Sequence, residues 1–272
     1  MHYDIINAFT SKESLGNPAA VCILTQRLPK EQLQQIASEI SLPETSFIYK
    51  NIENEWEIQW FSPKREVLLC GHGMIAAAFV IKQKLEKDIN FLSFKTKSGQ
   101  LNVKMHKGQF TLDFPRQQLF PVVVTEKMKE AFPETIIQEA YTSQEKDHLV
   151  LVLDSEKAVK NANPQMAIVK ALAPHAVTLT ARGTDVDFVS RYFAPNGGVD
   201  EDPVTGSSHT RLVPLWGEKL NQTKFIAKQL SKRGGLLNCE LEEASVRITG
   251  QATLSESSKK LQDILEKGES KR

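Results

Sequence analysis

Apolar and polar residues alternate along most of Trp56–Phe61 and along Leu101–Met105 and Phe110–Phe114, the period-two pattern of half-buried strands, and Phe91–Thr96 also reads as a strand. Ser98-Gly99 and Lys107-Gly108 join Phe91–Thr96, Leu101–Met105 and Phe110–Phe114 in turn, which predicts an antiparallel meander. Ile5–Phe9 and Val21–Leu24 also read as strands. Leu33, Ile36, Ala37 and Ile40 follow Pro29 at one-face spacing and predict an amphipathic helix. Met74–Ile81 is apolar on every side, so this helix belongs in the middle of a core.

The theme returns further along. Leu149–Leu153, Val177–Thr180, Phe188–Phe193, Leu236–Leu241 and Val246–Thr249 read as strands, and Asn163-Pro164 offers a cap and first turn for a helix through Leu172. Leu212, Val213, Leu215 and Trp216 predict a second central helix that Pro214 should kink or shorten. The expected fold class is α+β, with two pseudo-symmetric halves, each a mostly antiparallel sheet around a central apolar helix. The expected halves are residues 1–117 and 118–254. A charged tail, 255–272, carries Leu261, Ile264 and Leu265 at helical spacing.

A net charge of +1 gives no field favouring nucleic acid or an anionic membrane. No apolar run spans a bilayer, and Met1-His2-Tyr3-Asp4 does not begin a signal peptide. Cys22, Cys70 and Cys239 show neither disulfide nor metal-ligand spacing. The expectation is a cytoplasmic protein.

Two segments share one design, a Gly beside a polar residue ahead of an apolar helix: Cys70-Gly71-His72-Gly73 and Asp202-Pro203-Val204-Thr205-Gly206-Ser207. Such helix starts offer backbone N–H groups and a positive dipole end to a carboxylate. The plain reading of Glu44 is a solvated carboxylate after a Pro turn, and the functional one is a general acid/base. His72 is either a structural residue at a helix start or a ligand-facing imidazole that titrates near neutrality. Asp202, ahead of Pro203, reads as an N-cap that could also accept a substrate hydrogen bond. Ser207 could meet an anion, whereas Ser208 and His209 should point elsewhere. Cys70 could act as in a two-thiol racemase, but no second Cys occupies the matching turn, so it reads as a packed residue. No P-loop, dinucleotide fingerprint, G-x-S-x-G elbow or H-E-x-x-H is present, and nothing calls for a cofactor or a metal.

Further marks run through nearly the whole chain: Gly16-Asn17-Pro18-Ala19-Ala20-Val21, Glu44-Thr45-Ser46-Phe47, Trp60-Phe61-Ser62-Pro63, Asp187–Pro195, Glu201–His209 and Gln229–Gly235. Together with Cys70-Gly71-His72 they resemble the phenazine-biosynthesis isomerase (PhzF-like) family, relatives of diaminopimelate epimerase. The resemblance implies cofactor-independent isomerisation of a small carboxylate such as trans-2,3-dihydro-3-hydroxyanthranilate, in a cleft between the halves. It makes Glu44 the acid/base and His72, Asp202 and Ser207 its partners in the proton network. Gly71, Gly73, Gly206 and Asn17 would bind substrate, and the chain would form a homodimer. The chain departs from the family pattern at Gly73-Met74, where Ala-Thr is usual. The rival expectation is a non-catalytic binding or scaffold protein that keeps the fold.

Overall fold

The alternating stretches pair as their patterns require. In the computed structural model, which describes residues 1–12, 15–255 and the backbone of 259–260, the chain divides into two units. The first comprises Met1–Leu112 and the residues from Gln251 on, and the second is Asp113–Gly250.

In the first unit β1 (His2–Ala8) lies antiparallel to β2 (Asn17–Ile23). β2 then runs parallel to β3 (Glu44–Lys50), with Ala19 opposite Glu44. A parallel neighbour needs a crossover, and α1 (Lys30–Ile40) supplies it, burying Leu33, Ile36 and Ala37. Ser41 ends this helix in the left-handed conformation and returns its N–H to the Ala37 carbonyl. β4 (Trp56–Phe61) is antiparallel to β3 and sets Trp60 opposite Ser46, with the short β5 (Glu66–Val67) beside it. The second crossover, α2 (Gly71–Lys84), leads to β6 (Phe91–Thr96), parallel to β4. β7 (Gly99–His106) and β8 (Gln109–Pro115) complete the expected meander.

The all-apolar stretch of α2 is buried from Gly71 through Ala78, and again at Val80 and Ile81. Its last turn carries Lys82 and Lys84, favourable at a helix C-terminus, and Lys84 Nζ reaches both carboxylate oxygens of Asp4 at 2.6 and 2.7 Å.

The second unit opens with β9 (Leu119–Val122) and α3 (Glu126–Ala131), then β10 (Ile137–Ser143), β11 (His148–Leu153), α4 (Glu156–Asn161) and α5 (Met166–Leu172). It continues through β12 (Ala176–Arg182), β13 (Phe188–Ala194), β14 (Val199–Asp202), α6 (His209–Leu220), β15 (Lys224–Gln229), β16 (Gly235–Leu241) and β17 (Ser245–Leu254). The pairing sequence of the first unit recurs strand for strand. β10 and β11 are antiparallel, β11 and β12 parallel, β12 and β13 antiparallel, with β14 short beside β13. β13 and β15 are parallel, and β15, β16 and β17 form an antiparallel run. No sequence repeat announces this; the repetition lies in topology and in the position of the crossover helices.

Several expectations change. The boundary falls after Leu112 instead of after residue 117, and the end of β17 belongs to the first unit because Thr253 and Leu254 pair with Asn7 and Ile6 of β1. The tail expected to be helical lies mostly outside the described residues, and its described pair, Lys259–Lys260, forms a strand against Tyr3 and His2. The helix read after Asn163-Pro164 starts only at Met166, with no side-chain cap. Pro214 does not stop α6, which runs on to Leu220. Proline lacks the N–H that the Thr210 carbonyl would receive, and Gln117 N–H fills that place at 3.0 Å.

A buried polar relay fixes α6 to the strands. Trp216 Nε1 donates to Thr180 Oγ1 at 2.9 Å, and Thr180 Oγ1 donates to the Val189 carbonyl at 2.7 Å. Thr180→Val keeps the shape and strands the indole N–H, so the urea unfolding midpoint should fall by an amount equal to about 2 kcal/mol. An unchanged midpoint would show that the relay adds nothing. Among the described residues no helix is long and apolar enough to cross a membrane.

Candidate active site

The start of α2 and the start of β3 bring three reactive side chains together. β3 begins at Glu44, directly after Pro43, and its side chain keeps 18% exposure. Glu44 Oε2 lies 3.0 Å from Nε2 of His72, the second residue of α2, whose side chain is 7% exposed. Cys70 is the N-cap of α2: its sulfur accepts the Gly73 N–H at 3.3 Å, the place usually taken by a Ser or Asp oxygen. The same sulfur lies 3.6 Å from Nδ1 and 3.7 Å from Nε2 of His72.

Asn17, fully buried at the start of β2, completes the group, with its side-chain amide nitrogen 3.3 Å from His72 Nδ1. As an amide it can present its nitrogen to a neutral ring or, turned over, its oxygen to a protonated one. Burial by itself would lower the His72 pKa, but Cys70 and Glu44 outweigh it and hold the imidazole well above 6.5. The Cys70 thiol is pushed up, chiefly by burial, against the pull of His72. A carboxylate that keeps some exposure therefore stands against a buried imidazole whose protonated form is favoured.

Asp202 and Ser207 lie in the second unit, and the local structure there differs from the expected cap. Asp202 ends β14, and α6 begins only at His209, so Asp202 does not cap that helix. A turn intervenes, in which the His209 and Thr210 N–H groups donate to the Gly206 and Ser207 carbonyls at 3.0 and 3.3 Å. The Asp202 carboxylate instead accepts from the Thr205 hydroxyl. Ser208 and His209 turn inward, each donating to the Thr205 carbonyl, at 2.9 and 2.8 Å.

Sequence reasoning missed what holds this turn. Gln229, fully buried at the end of β15, accepts the Thr205 N–H at 2.8 Å and donates to the Asp202 carbonyl at 2.7 Å. Ser231 Oγ adds a bond to the Pro203 carbonyl at 2.7 Å. Both stand in the Gln229–Gly235 segment singled out in the sequence, with no signal there of what they bind.

The model of the phenazine biosynthesis-like protein family matches residues 6–258. The chain belongs to that family. An uncharacterized isomerase of Pseudomonas aeruginosa is 41% identical over 254 residues, 93% of this chain and 96% of the relative. The crystal structure of a PhzF-family protein of Enterococcus faecalis superposes with a TM-score of 0.90 at 39% identity, covering 96% of this chain and all of that one. A predicted epimerase of Pseudomonas aeruginosa shares the fold, with a TM-score of 0.70 at 20% identity over 96% of this chain and 99% of its own.

Against the PhzF pattern, Gly73 has a packing explanation. A Cβ there would stand 2.8 Å from Trp60 Cδ1, 2.9 Å from Cys70 Sγ and 2.9 Å from Ser46 Oγ. Trp60 is almost fully buried, and Ser46 is tied to the Gly73 carbonyl by a 3.0 Å hydrogen bond, so neither yields easily. The expected cost of Gly73→Ala is about 2 kcal/mol, the usual scale for overpacking a core. A urea titration that leaves the midpoint in place would show that Trp60 and Cys70 can move aside. The neighbouring Met74 is buried in the same helix.

Proposed function

We infer that this member of the PhzF family is an isomerase or epimerase that moves a proton on a small carboxylate-bearing substrate without a cofactor, with Glu44 as general acid/base. The observation that carries the reading is the 3.0 Å pair of Glu44 Oε2 and His72 Nε2 at the head of the buried helix α2. A proton can leave or join a substrate carbon through the partly exposed Glu44, while His72 stabilises whichever charge remains on the carboxyl group. The N-terminus of α2 is assigned to present the Gly71 backbone N–H toward a substrate carboxylate, while Gly73, whose own N–H is held by Cys70 Sγ, keeps the helix start free of a side chain. Asp202, whose carbonyl is held by Gln229, and Ser207 are assigned to orient substrate and share its proton network, with Gly206 lending a close backbone approach. Asn17 is assigned to the His72 ring, as a positioning residue. Each unit is taken to wrap its sheet around its apolar crossover helix, and the chain to act in the cytoplasm as a homodimer.

Proton NMR in D₂O tests the reading, with unsaturated and amino-substituted carboxylates that include trans-2,3-dihydro-3-hydroxyanthranilate. Deuterium entry or isomerisation by the wild type, lost in folded Glu44→Gln, is the expected result. Equal rates in both proteins would remove Glu44 from the chemistry. Substrate binding without exchange anywhere in the panel would favour a binding protein that has kept the fold.

A further inference from the structure

We propose that Arg211, with Tyr192, His148 and His175 around it, forms a binding site for a small carboxylate in the second unit. This goes beyond the isomerase reading and does not depend on it. Arg211 stands in the first turn of α6 and is partly buried. Its Nε is buried with no hydrogen-bond partner, and no hydrogen bond or ion pair reaches the guanidinium from any described residue. A guanidinium stays charged in a protein, so one withdrawn from water without a partner costs stability. Arg191, in the same unit, shows the satisfied case. Its Nε and Nη2 meet the two Glu201 oxygens at 2.7 and 3.0 Å, and Nη1 donates to the Ala162 carbonyl at 2.7 Å. Arg211 keeps the same planar fork unused. Its terminal nitrogens are not closed off as Nε is, so a carboxylate can take both of them end-on.

The neighbours leave that end of the fork to a ligand. Asp147 acts on Arg211 by charge without meeting it, and its Oδ1 receives the Ser143 hydroxyl at 2.6 Å and His148 Nδ1 at 2.7 Å. Glu145 acts in the same way from an exposed position, where salt and water screen it. Burial, aided by the Arg211 charge, drives the His148 pKa down to about 4, so this ring adds no competing cation at neutral pH. The His175 ring lies against it, with centroids 4.6 Å apart. Tyr192 is almost fully buried and is the strongest electrostatic neighbour of the guanidinium. As a neutral phenol it brings a hydroxyl donor to the same cluster.

The cluster is also the counterpart, in the topological repeat, of the Glu44–His72 pair. In the first unit Asn17 opens β2, Glu44 opens β3 and His72 is the second residue of α2. In the second unit His148 opens β11, His175 directly precedes β12 and Arg211 is the third residue of α6. The same three starting points thus carry a carboxylate–imidazole pair in one unit and an unpaired cation flanked by histidines in the other. A guanidinium does not exchange its charge at neutral pH, so the second set suits holding an anion and not acid/base work.

Titration of the nitrogen-15-labelled protein with acetate and benzoate tests the site without reference to activity. The reporter is the Arg211 Nε–H signal, identified by its disappearance in Arg211→Met. This signal should move saturably with either carboxylate, and the uncharged acetamide and benzamide should leave it in place. Without ligand, Arg211→Met should have a higher urea unfolding midpoint than the wild type, because it removes an unpaired charge. Benzoate should raise the midpoint of the wild type and of Glu44→Gln, and leave that of Arg211→Met unmoved. A stationary Arg211 signal under both carboxylates, or equal shifts with the amides, would overturn the proposal. So would a lower midpoint in ligand-free Arg211→Met, which would show that the guanidinium is paired within the protein. Either outcome leaves the isotope-exchange test of Glu44 to stand or fall separately.

Discussion

Glu44→Gln should lower proton exchange on substrate by a factor on the order of 10³, His72→Asn should lower it by about 10², and the double variant should be no slower than Glu44→Gln alone. The reason is the shared pair: Oε2 and Nε2 are 3.0 Å apart, so each group's contribution runs through the other. A glutamine amide keeps the shape of the carboxylate and cannot take a proton at neutral pH, so the whole acid/base step is lost. The His72→Asn change leaves the carboxylate in place and removes only the imidazole that balances its charge. Once Glu44 is gone, His72 has nothing left to support, and its removal costs little more. Independent sites would instead multiply to a loss of about 10⁵. Single-turnover exchange rates for the four proteins, with circular dichroism as the check on fold, distinguish the two cases. Multiplicative losses would show that His72 acts on the substrate separately from Glu44.

Acid should destabilise the second unit through His209. This residue is fully buried, with Nδ1 donating to the Thr205 carbonyl at 2.8 Å and Nε2 without a hydrogen-bond partner among the described residues. Burial drives its pKa down to about 4, only partly opposed by the Thr205 bond. The unfolded chain, with an ordinary histidine, therefore takes up the proton first. The contribution is fully present above pH 6.5, is lost progressively as the pH falls, and is gone below about 4. A shift of this size corresponds to about 3 kcal/mol. Urea midpoints across that interval should fall for the wild type and stay flatter for His209→Asn, which can still donate to Thr205 but does not titrate. Parallel pH profiles for the two would assign the acid sensitivity to other groups.

Much of the architecture is legible because local pattern and tertiary role agree. Trp56–Phe61 and Phe91–Thr96 have the bounds read from the sequence, and the burial of α2 follows from an apolar run with no polar face. β15 escapes the pattern because Phe225, Ile226 and Ala227 put apolar side chains on both faces, although only Phe225 and Ala227 are buried. α3 and α4 are six residues each, too short for a periodic signal, and rest on the caps Thr125 and Ser155. Within the site, Glu44 and His72 are legible from motif, but their pairing is not, because it depends on the chain path through β3, β4 and the start of α2. Cys70 reads as a packed residue in the sequence. Its sulfur is buried, yet it caps α2 and touches the His72 ring, a dual placement that no spacing rule exposes.

The return of the last turn of β17 to β1 bears on how the chain matures during synthesis. Asp113–Gly250 is one uninterrupted stretch and can close its own pairings while translation continues. The first unit, although made earlier, lacks the segment that covers one edge of β1 until Ala252, Thr253 and Leu254 have emerged opposite Ala8, Asn7 and Ile6. Until then that edge offers unpaired N–H and C=O groups to any passing strand, a known route to aggregation. The vulnerable interval on the ribosome thus belongs to the half of the protein that was translated first.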